Sequence, residues 1–218
     1  MLFEQFKLNS SILRGIQSNG FSLPTQLQLE FIPKALSGKD VITCAYSGSG
    51  RTAAYVIPAL QKLLTKNFSV STGPRVVVVV PEHRDALKVG GQFKQLGKYV
   101  RYRLSIMAEG LNNAQQQEFF VDPETDILVA TADKLLTSME SGRMDFNRLE
   151  LLIFDEAQHL SDGDMLQISR SLPRQKQTFL ISSDGRMEKA ANRFMQKPVF
   201  IKIENEQKLG RNIRHYLY

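Results

Sequence analysis

Short β-branched runs alternate with stretches of helical periodicity along most of the chain. The runs are apolar at nearly every position, which is typical of strands that are buried on both faces of a parallel sheet. They predict strands at Asp40–Cys44, Arg75–Val80, Tyr102–Met107, Ile127–Thr131, Leu151–Phe154, Thr178–Ser182 and Val199–Ile203. The helical spacing predicts helices near Ser11–Asn19, Thr25–Leu36, Arg51–Lys66, His83–Lys98, Asn113–Phe120, Ala132–Glu140 and Met187–Met195.

This alternation predicts an α/β fold, a doubly wound and mainly parallel sheet with helices on both faces. Ligands of such folds bind beyond the carboxyl ends of the strands. Functional side chains are therefore expected in the segments that directly follow strands.

The composition fits a globular protein with a sizeable core, because 42% of the 218 residues are hydrophobic and 23% are charged. No apolar run reaches the roughly 18 residues of a membrane helix, and the first residues lack the features of a secretory signal. We expect an intracellular protein, either cytoplasmic or nuclear with the cytoplasm favoured, and no membrane partner. Cys44 stands alone, which excludes a disulfide framework, and three scattered histidines lack zinc-ligand spacing.

The net charge is 28 − 22 = +6 and the isoelectric point is about 9.4, which permits a polyanionic partner. Two stretches of the chain are rich in basic residues: Arg84, Lys88, Lys94, Lys98, Arg101 and Arg103 in the first, and Arg186, Lys189, Arg193, Lys197, Lys202, Lys208, Arg211 and Arg214 in the second. Each stretch is either a set of exposed helix faces or a displaced nucleic-acid surface.

A small-residue loop, Ala45–Thr52, joins a predicted strand to a predicted helix. Its backbone N–H groups and the helix N-terminus favour a bound phosphate, and Thr52 stands where a P-loop contacts Mg²⁺. Ala45 and Arg51 replace the Gly and Lys of the P-loop pattern, so an ordinary loop is the alternative. The predicted phosphate contacts are Ser47, Gly48, Ser49, Gly50, Arg51 and Thr52.

Two carboxylates, Asp155 and Glu156, follow the apolar run Leu151–Phe154. At the carboxyl edge of a sheet, Asp155 would hold Mg²⁺ through water and Glu156 would orient an attacking water molecule. The alternative interpretation is an acidic strand end with no catalytic role.

Taken together, these segments resemble the N-terminal RecA-like domain of the DEAD-box RNA helicases over essentially the whole chain. Ala45–Thr52 resembles motif I of that family, Asp155–Gln158 resembles motif II and Ser182–Asp184 resembles motif III. The resemblance implies ATP and Mg²⁺ as cofactors and single-stranded RNA as a partner.

The first 28 residues resemble the Q motif of the same family, with Phe3 ahead of the segment Gly20–Gln28. The resemblance implies that Gln28 reads the adenine edge, that Thr25 supports it and that Phe3 stacks on the base. A side-chain amide has both the donor and the acceptor that adenine requires.

The RNA-facing motifs are also recognisable. Pro81–Arg84 resembles motif Ia, Thr131–Leu135 resembles motif Ib, and the pair at 109–110 stands where the family usually has Gly-Gly. The resemblance implies Arg84, Thr131 and Lys134 as RNA contacts. Acidic residues stand at or near all three segments, namely Glu82, Glu109 and Asp133, and they would repel phosphates.

Three departures from the family concern catalysis. Arg51 keeps the charge of the P-loop lysine, but its guanidinium is planar and bulkier, so we expect impaired hydrolysis unless a wider loop tolerates it. Gln158 replaces the last aspartate of motif II and Asp184 replaces the threonine of motif III. We hypothesise that Gln158 donates to Asp184, together with Ser182, and alters the coupling between nucleotide and RNA. Independent drift of both positions is the alternative.

We predict that residues 1–38 form a Q-motif region packed on the core and that residues 39–205 form the RecA-like domain. Residues 206–218 are predicted to be a linker and the start of a second RecA-like domain, which would complete the ATP site. The expected function is the ATP-binding domain of an RNA helicase with impaired hydrolysis and an altered grip on RNA, weak or inactive in isolation. The alternative is a pseudo-helicase that acts as a protein or RNA scaffold.

Overall fold

The computed structural model describes residues 2–65, 72–109, 122–142, 144–185 and 187–204. The predicted helix Asn113–Phe120 and the predicted linker at 206–218 lie outside these residues. None of the helices in the described ranges combines the length and the hydropathy that a membrane crossing needs.

A seven-stranded sheet forms the centre of the described chain, and all its neighbouring strands pair in parallel. The predicted α/β fold is therefore confirmed, and the strand ends differ from the prediction by two residues at most. The strand order is β3-β4-β2-β5-β6-β1-β7. The strands are β1 (Val41–Ala45), β2 (Val76–Val80), β3 (Leu104–Met107), β4 (Ile127–Thr131), β5 (Leu151–Phe154), β6 (Gln177–Ser182) and β7 (Val199–Ile203).

Helices cover both faces of this sheet, and two 3₁₀ turns, Phe3–Phe6 and Ala157–His159, accompany them. The helices are α1 (Ser10–Ser18), α2 (Gln26–Leu36), α3 (Arg51–Thr65), α4 (His83–Leu96), α5 (Ala132–Glu140), α6 (Asp162–Ser171) and α7 (Met187–Ala191). The last of them is four residues shorter than predicted.

Helix α6 was not predicted from the sequence, because its first turn contains Gly163, which has low helix propensity. A capping signal was present. The side chain of Ser161 accepts hydrogen bonds from the backbone N–H groups of Gly163 and Asp164, and Met165 and Ile168 are buried one helical turn apart.

Two hydrophobic cores lie on the two faces of the sheet, and β2 shows how the sequence builds both. Val76, Val78 and Val80 point into the core beneath α1 to α4, while Val77 and Val79 point into the core beneath α5 to α7. Side chains alternate between the faces of a strand, so a run of five valines is apolar throughout because both faces are covered.

Helix α1 packs closely against the C-terminal end of α4, and Gly15 permits the approach. A Cβ atom at Gly15 would lie 1.9 Å from the carbonyl oxygen of Leu96. The side-chain amide of Asn19 donates to the backbone carbonyl of Gln95 across the same contact. Helix α1 is thereby fixed to the end of α4.

We predict that Gly15→Ala lowers the free energy of unfolding by about 2 kcal/mol or more, because the added methyl group meets backbone that cannot move aside. Gly91→Ala is the matched control, since Gly91 lies within α4 and a Cβ there would meet nothing within 4 Å. This control should raise stability by about 0.5–1 kcal/mol through helix propensity. Urea unfolding of both variants tests the pair of values, and equal effects would contradict the packing argument.

Candidate functional site

The segments that follow β1, β2, β5 and β6 meet at the carboxyl edge of the sheet. They line an open groove of about 660 Å³, to which Ser47, Arg51, Glu82, Glu156 and Gln158 contribute. The groove therefore joins the predicted phosphate loop, the predicted catalytic Glu156 and the start of the predicted RNA surface.

The predicted phosphate loop is shaped by two glycines in the left-handed region of backbone conformation. Gly48 and Gly50 have φ angles of +89° and +85°, in the left-handed region that glycine adopts without strain. The N–H and the hydroxyl of Ser49 both donate hydrogen bonds to the carbonyl of Tyr46 within the loop. Ser47 and Gly48 are exposed, and the first N–H groups of α3 have no acceptor within the helix, so donors remain for a phosphate.

The predicted adenine-reading residues are tied to this loop. Thr25 caps α2 in a capping box with Gln28, and its hydroxyl donates to the carbonyl of Ser49 at 2.8 Å. The Gln28 amide accepts from the N–H of Thr25 and donates to the carbonyl of Gly50 at 3.2 Å. Gln28 is buried and both ends of its amide are engaged, so its contact with adenine stays a prediction.

Phe3 lies in the core and not at the edge of the groove. Its ring meets that of Phe6 edge-on with 6.0 Å between centroids, and only 3% of the residue is exposed. Stacking of Phe3 on a base stays a prediction that requires the ring to become accessible. Phe21 and Tyr46 are the exposed aromatic side chains of the adjoining segments.

Arg51 and Glu156 form a bidentate ion pair across the groove. The Nη2 atom of Arg51 lies 2.5 Å from Oε1 of Glu156, and Nη1 lies 3.3 Å from Oε2. The arginine side chain is only 10% exposed and that of the glutamate 29%. The cation predicted to meet phosphate and the carboxylate predicted to orient water thus neutralise each other.

The backbone at Glu156 is in the left-handed region, with φ +47° and ψ +42°. A non-glycine residue in this region carries strain, which is common at functional sites. The turn directs the Glu156 side chain toward Arg51, whereas the preceding Asp155 points into the domain.

Gln158 is bonded differently from the hypothesis. Its amide NH₂ donates to Glu156 at 2.6 Å, and not to Asp184, because the left-handed turn at Glu156 brings that carboxylate within reach. Its carbonyl oxygen accepts from the hydroxyl of Ser182 at 3.0 Å and from the N–H of Ser183 at 3.1 Å. Asp184 joins through its backbone, which exchanges hydrogen bonds with the Ser182 hydroxyl.

Asp155 is buried beside Tyr55, a residue that the sequence analysis missed. The Tyr55 hydroxyl donates to Oδ2 of Asp155 at 2.7 Å, and the N–H of Glu156 donates to Oδ1 at 2.9 Å. Burial raises the pKa of Asp155 from 3.8 to about 6. A tyrosine within the apolar run at residues 53–60 was the available signal, because a buried hydroxyl needs a partner.

The donor set suits a magnesium ion. Burial and Asp155 raise the pKa of Tyr55 while the side chain of Thr52 lowers it, so Thr52 and Asp155 act on the same hydroxyl. They offer hydroxyl and carboxylate oxygens, the hard ligands that Mg²⁺ prefers, and each carboxylate oxygen keeps a lone pair beyond its present hydrogen bond.

The predicted RNA contacts are paired with carboxylates. Arg84 lies 2.6 Å from Glu82, and Lys134 lies 2.7 Å from Glu109, with all four side chains at least 38% exposed. Thr131 is buried at the end of β4, and its hydroxyl has no hydrogen-bond partner among the described residues. The positive charges predicted for this surface are thus neutralised by neighbouring glutamates.

The chain is similar in sequence to known proteins over nearly its whole length. Residues 25–183 match the family model described as DEAD/DEAH box helicase. The ATP-dependent RNA helicase SrmB of Escherichia coli is 31% identical over 223 residues, which are 99% of this chain and 50% of that protein. The ATP-dependent RNA helicase DRS1 of Eremothecium gossypii is 34% identical over 209 residues, 93% of this chain and 28% of that protein.

A solved structure of similar fold is the crystal structure of a DEAD box protein from the hyperthermophile Methanococcus jannaschii. It matches with a TM-score of 0.83 and 24% identity, covering 94% of this chain and 56% of that one. The fold is therefore RecA-like, and the chain spans half or less of the length of the two curated relatives described above.

We predict that Asp155→Asn raises the free energy of unfolding above pH 6, by up to about 3 kcal/mol. The folded wild type holds its proton up to about pH 6 and the unfolded chain only up to 3.8, so wild-type stability falls as the pH rises between these values. Asparagine cannot ionise, so the free energies of unfolding of the wild type and the variant should become equal near pH 4. Urea unfolding with EDTA at several pH values tests this.

The control for this experiment is Glu188→Gln, which removes an exposed carboxylate outside the groove. A stability difference between wild type and Asp155→Asn that is constant with pH would contradict the prediction.

Proposed function

The chain belongs to the DEAD/DEAH box helicase family, and on that premise we propose that it is the N-terminal, ATP-binding domain of an ATP-dependent RNA helicase. Its hydrolysis is impaired and its grip on RNA is altered. The observation that carries this proposal is the bidentate pair between Arg51 and Glu156. An intracellular, cytoplasmic location stays a prediction.

This ion pair competes with nucleotide. A bound phosphate would need the guanidinium of Arg51, and an oriented water would need the carboxylate of Glu156. In the structure, the guanidinium and the carboxylate are bonded to each other instead. Charge-assisted hydrogen bonds of this kind are worth about 1.5–3 kcal/mol. Nucleotide that has to displace the pair loses about one to two orders of magnitude in affinity.

The remaining nucleotide contacts are proposed as follows. Ser47 to Thr52 hold the phosphates, and Thr52 and Asp155 hold Mg²⁺, which neutralises phosphate charge when bound. Gln28 reads the base with support from Thr25, and Phe3 stacks on it once exposed. Arg51 and Glu156 serve hydrolysis only when they are parted, while Asp155 would bind a metal as the carboxylate, the form that prevails above about pH 6.

The coupling between nucleotide and RNA is proposed to run through Gln158. Its amide links the catalytic Glu156 to Ser182 and Ser183 at the end of β6, so a shift of Glu156 is transmitted there. Asp184 follows through its backbone bonds with Ser182.

The RNA contacts are proposed to be Arg84, Thr131 and Lys134, weakened by the neighbouring acids. Each cation has a carboxylate within 2.7 Å, so RNA phosphates have to displace an internal partner. A second RecA-like domain would supply the rest of the RNA groove and of the ATP site.

The alternative is a pseudo-helicase that serves as a protein or RNA scaffold. The same Arg51–Glu156 pair favours it, because a permanently closed pair would exclude nucleotide altogether. Titration with Mg·ATP separates the two functions, since the scaffold binds none at millimolar nucleotide.

We predict that Arg51→Lys tightens Mg·ATP binding at least tenfold, because lysine presents one compact charge and forms no bidentate pair. Glu156→Gln should tighten binding by a similar factor, since it removes the carboxylate that holds Arg51. Binding of a fluorescent ATP analogue to each variant and to the double variant measures both effects.

The double variant should bind little better than either single variant, because both changes remove one barrier. Arg103→Lys is the control, an arginine that is paired with Asp122 and Glu124 away from the groove. If neither single variant binds more tightly than wild type, the pair is not what limits nucleotide.

For the RNA surface, we predict that Glu82→Gln combined with Glu109→Gln strengthens RNA binding by about three- to tenfold at low salt, because Arg84 and Lys134 are released. The control is Glu30→Gln with Glu188→Gln, which removes two exposed acids elsewhere. Fluorescence anisotropy with a single-stranded RNA measures the affinities. Equal gains in both variants would show an effect of net charge alone.

A further inference from the structure

A second hollow lies at the opposite edge of the sheet, where the strands begin. Its volume is about 450 Å³, and its walls come from the segments that lead into β1, β6 and β7. Four basic side chains line it: Lys39, Arg174, Lys176 and Lys197. The whole sheet separates this hollow from the candidate nucleotide site.

Asp40 is the one carboxylate among the residues that line this hollow, and its oxygens are already used. Oδ1 accepts from the N–H of Thr178 at 2.7 Å, and Oδ2 accepts from the N–H of Gln196 at 2.9 Å. Asp40 is buried, with 8% exposure, so it holds the two strand starts together and does not face outward.

The cations, in contrast, remain available. Lys39, Arg174 and Lys197 are exposed, and none of them forms an ion pair with a residue in the described part of the chain. Lys176 is half-buried, and its ammonium donates to the carbonyls of Ser169 and Pro173 at 2.8 and 3.1 Å. An ammonium has three donors, so one N–H of this fixed charge is left for a ligand.

The positive surface extends beyond a single hollow. A neighbouring hollow of about 520 Å³ shares Arg174, Lys176 and Gln196 and adds Arg170. Two adjoining basic hollows accommodate successive phosphates of a chain better than one isolated anion. At the carboxyl edge, by comparison, Arg84 and Lys134 are each neutralised by a glutamate.

We propose that the basic hollow at the amino edge binds the sugar-phosphate backbone of RNA. Lys39, Arg174 and Lys197 contact the phosphates, and Lys176 fixes one of them at the wall. RNA binding at this hollow requires no nucleotide turnover. An experiment can therefore contradict this proposal without contradicting the proposed ATP-dependent function.

The test is RNA binding by the 218-residue chain without nucleotide, measured by fluorescence anisotropy of a labelled single-stranded oligouridylate over a series of salt concentrations. Arg174→Gln combined with Lys197→Gln should weaken binding about tenfold at low salt and lower the salt slope by about 1.4, because each lost phosphate contact contributes about 0.7. Lys39→Gln with Lys197→Gln is a second variant, so that a folding defect in one pair does not decide the result. Thermal unfolding checks that both are folded.

Lys7→Gln combined with Arg14→Gln is the matched control, since it removes two exposed cations that belong neither to the hollow nor to the two basic stretches. The control should change the affinity by less than about twofold. Equal loss in the control and in the hollow variants would overturn the proposal, as would unchanged RNA binding in both hollow variants. Competition by inorganic phosphate as effective as that by unlabelled RNA would assign the hollow to free anions and overturn RNA as its ligand.

Discussion

Helix α3 directly follows β1, and its side chains bond to the carboxylates that follow β5. The candidate site depends on these bonds, although β1 and β5 are not neighbours in the sheet. Strands β1 and β5 are separated by β6, so they lie about 10 Å apart at the usual spacing. Arg51 and Tyr55 stand one turn apart on α3 and reach the two carboxylates that follow β5. The left-handed residue Glu156 makes these consecutive carboxylates diverge, one to each helix residue.

The two edges of the sheet differ in how their charged side chains are paired. At the carboxyl edge, cations and carboxylates occur as pairs, and ligands have to compete with internal partners. At the amino edge, the single carboxylate of the basic hollow is bonded to backbone, and the cations face solvent. The excess of positive charge, +6 over the whole chain, is therefore not spread evenly.

The sequence predicted the sheet well because burial on both faces leaves an unmistakable pattern, as in the five valines of β2. Elements with weak local signals were less predictable, and α6 was missed because Gly163 weakens its first turn. The grouping of the site segments could also be predicted, because parallel strands bring the segments that follow them to the same edge of the sheet.

Side-chain pairings within the site could not be predicted in the same way. The bond from Tyr55 to Asp155 depends on the distance between two strands and on the rotation of α3, which no local pattern encodes. The partner of Gln158 depends on the strained turn at Glu156, because an ordinary turn would place that carboxylate elsewhere. Long-range geometry therefore decides which donors and acceptors meet.

The amide of Gln28 occupies the space that a side chain at position 50 would need, 2.6 Å from the site of a Cβ atom. The same amide completes the cap of α2, and the hydroxyl of Thr25 is bonded to the neighbouring carbonyl. The start of α2 and the loop at 47–50 consequently form one cooperative unit. Local opening of the loop would break the two hydrogen bonds that orient the capping side chains, so hydrogen exchange in the first turn of α2 would report the state of the loop.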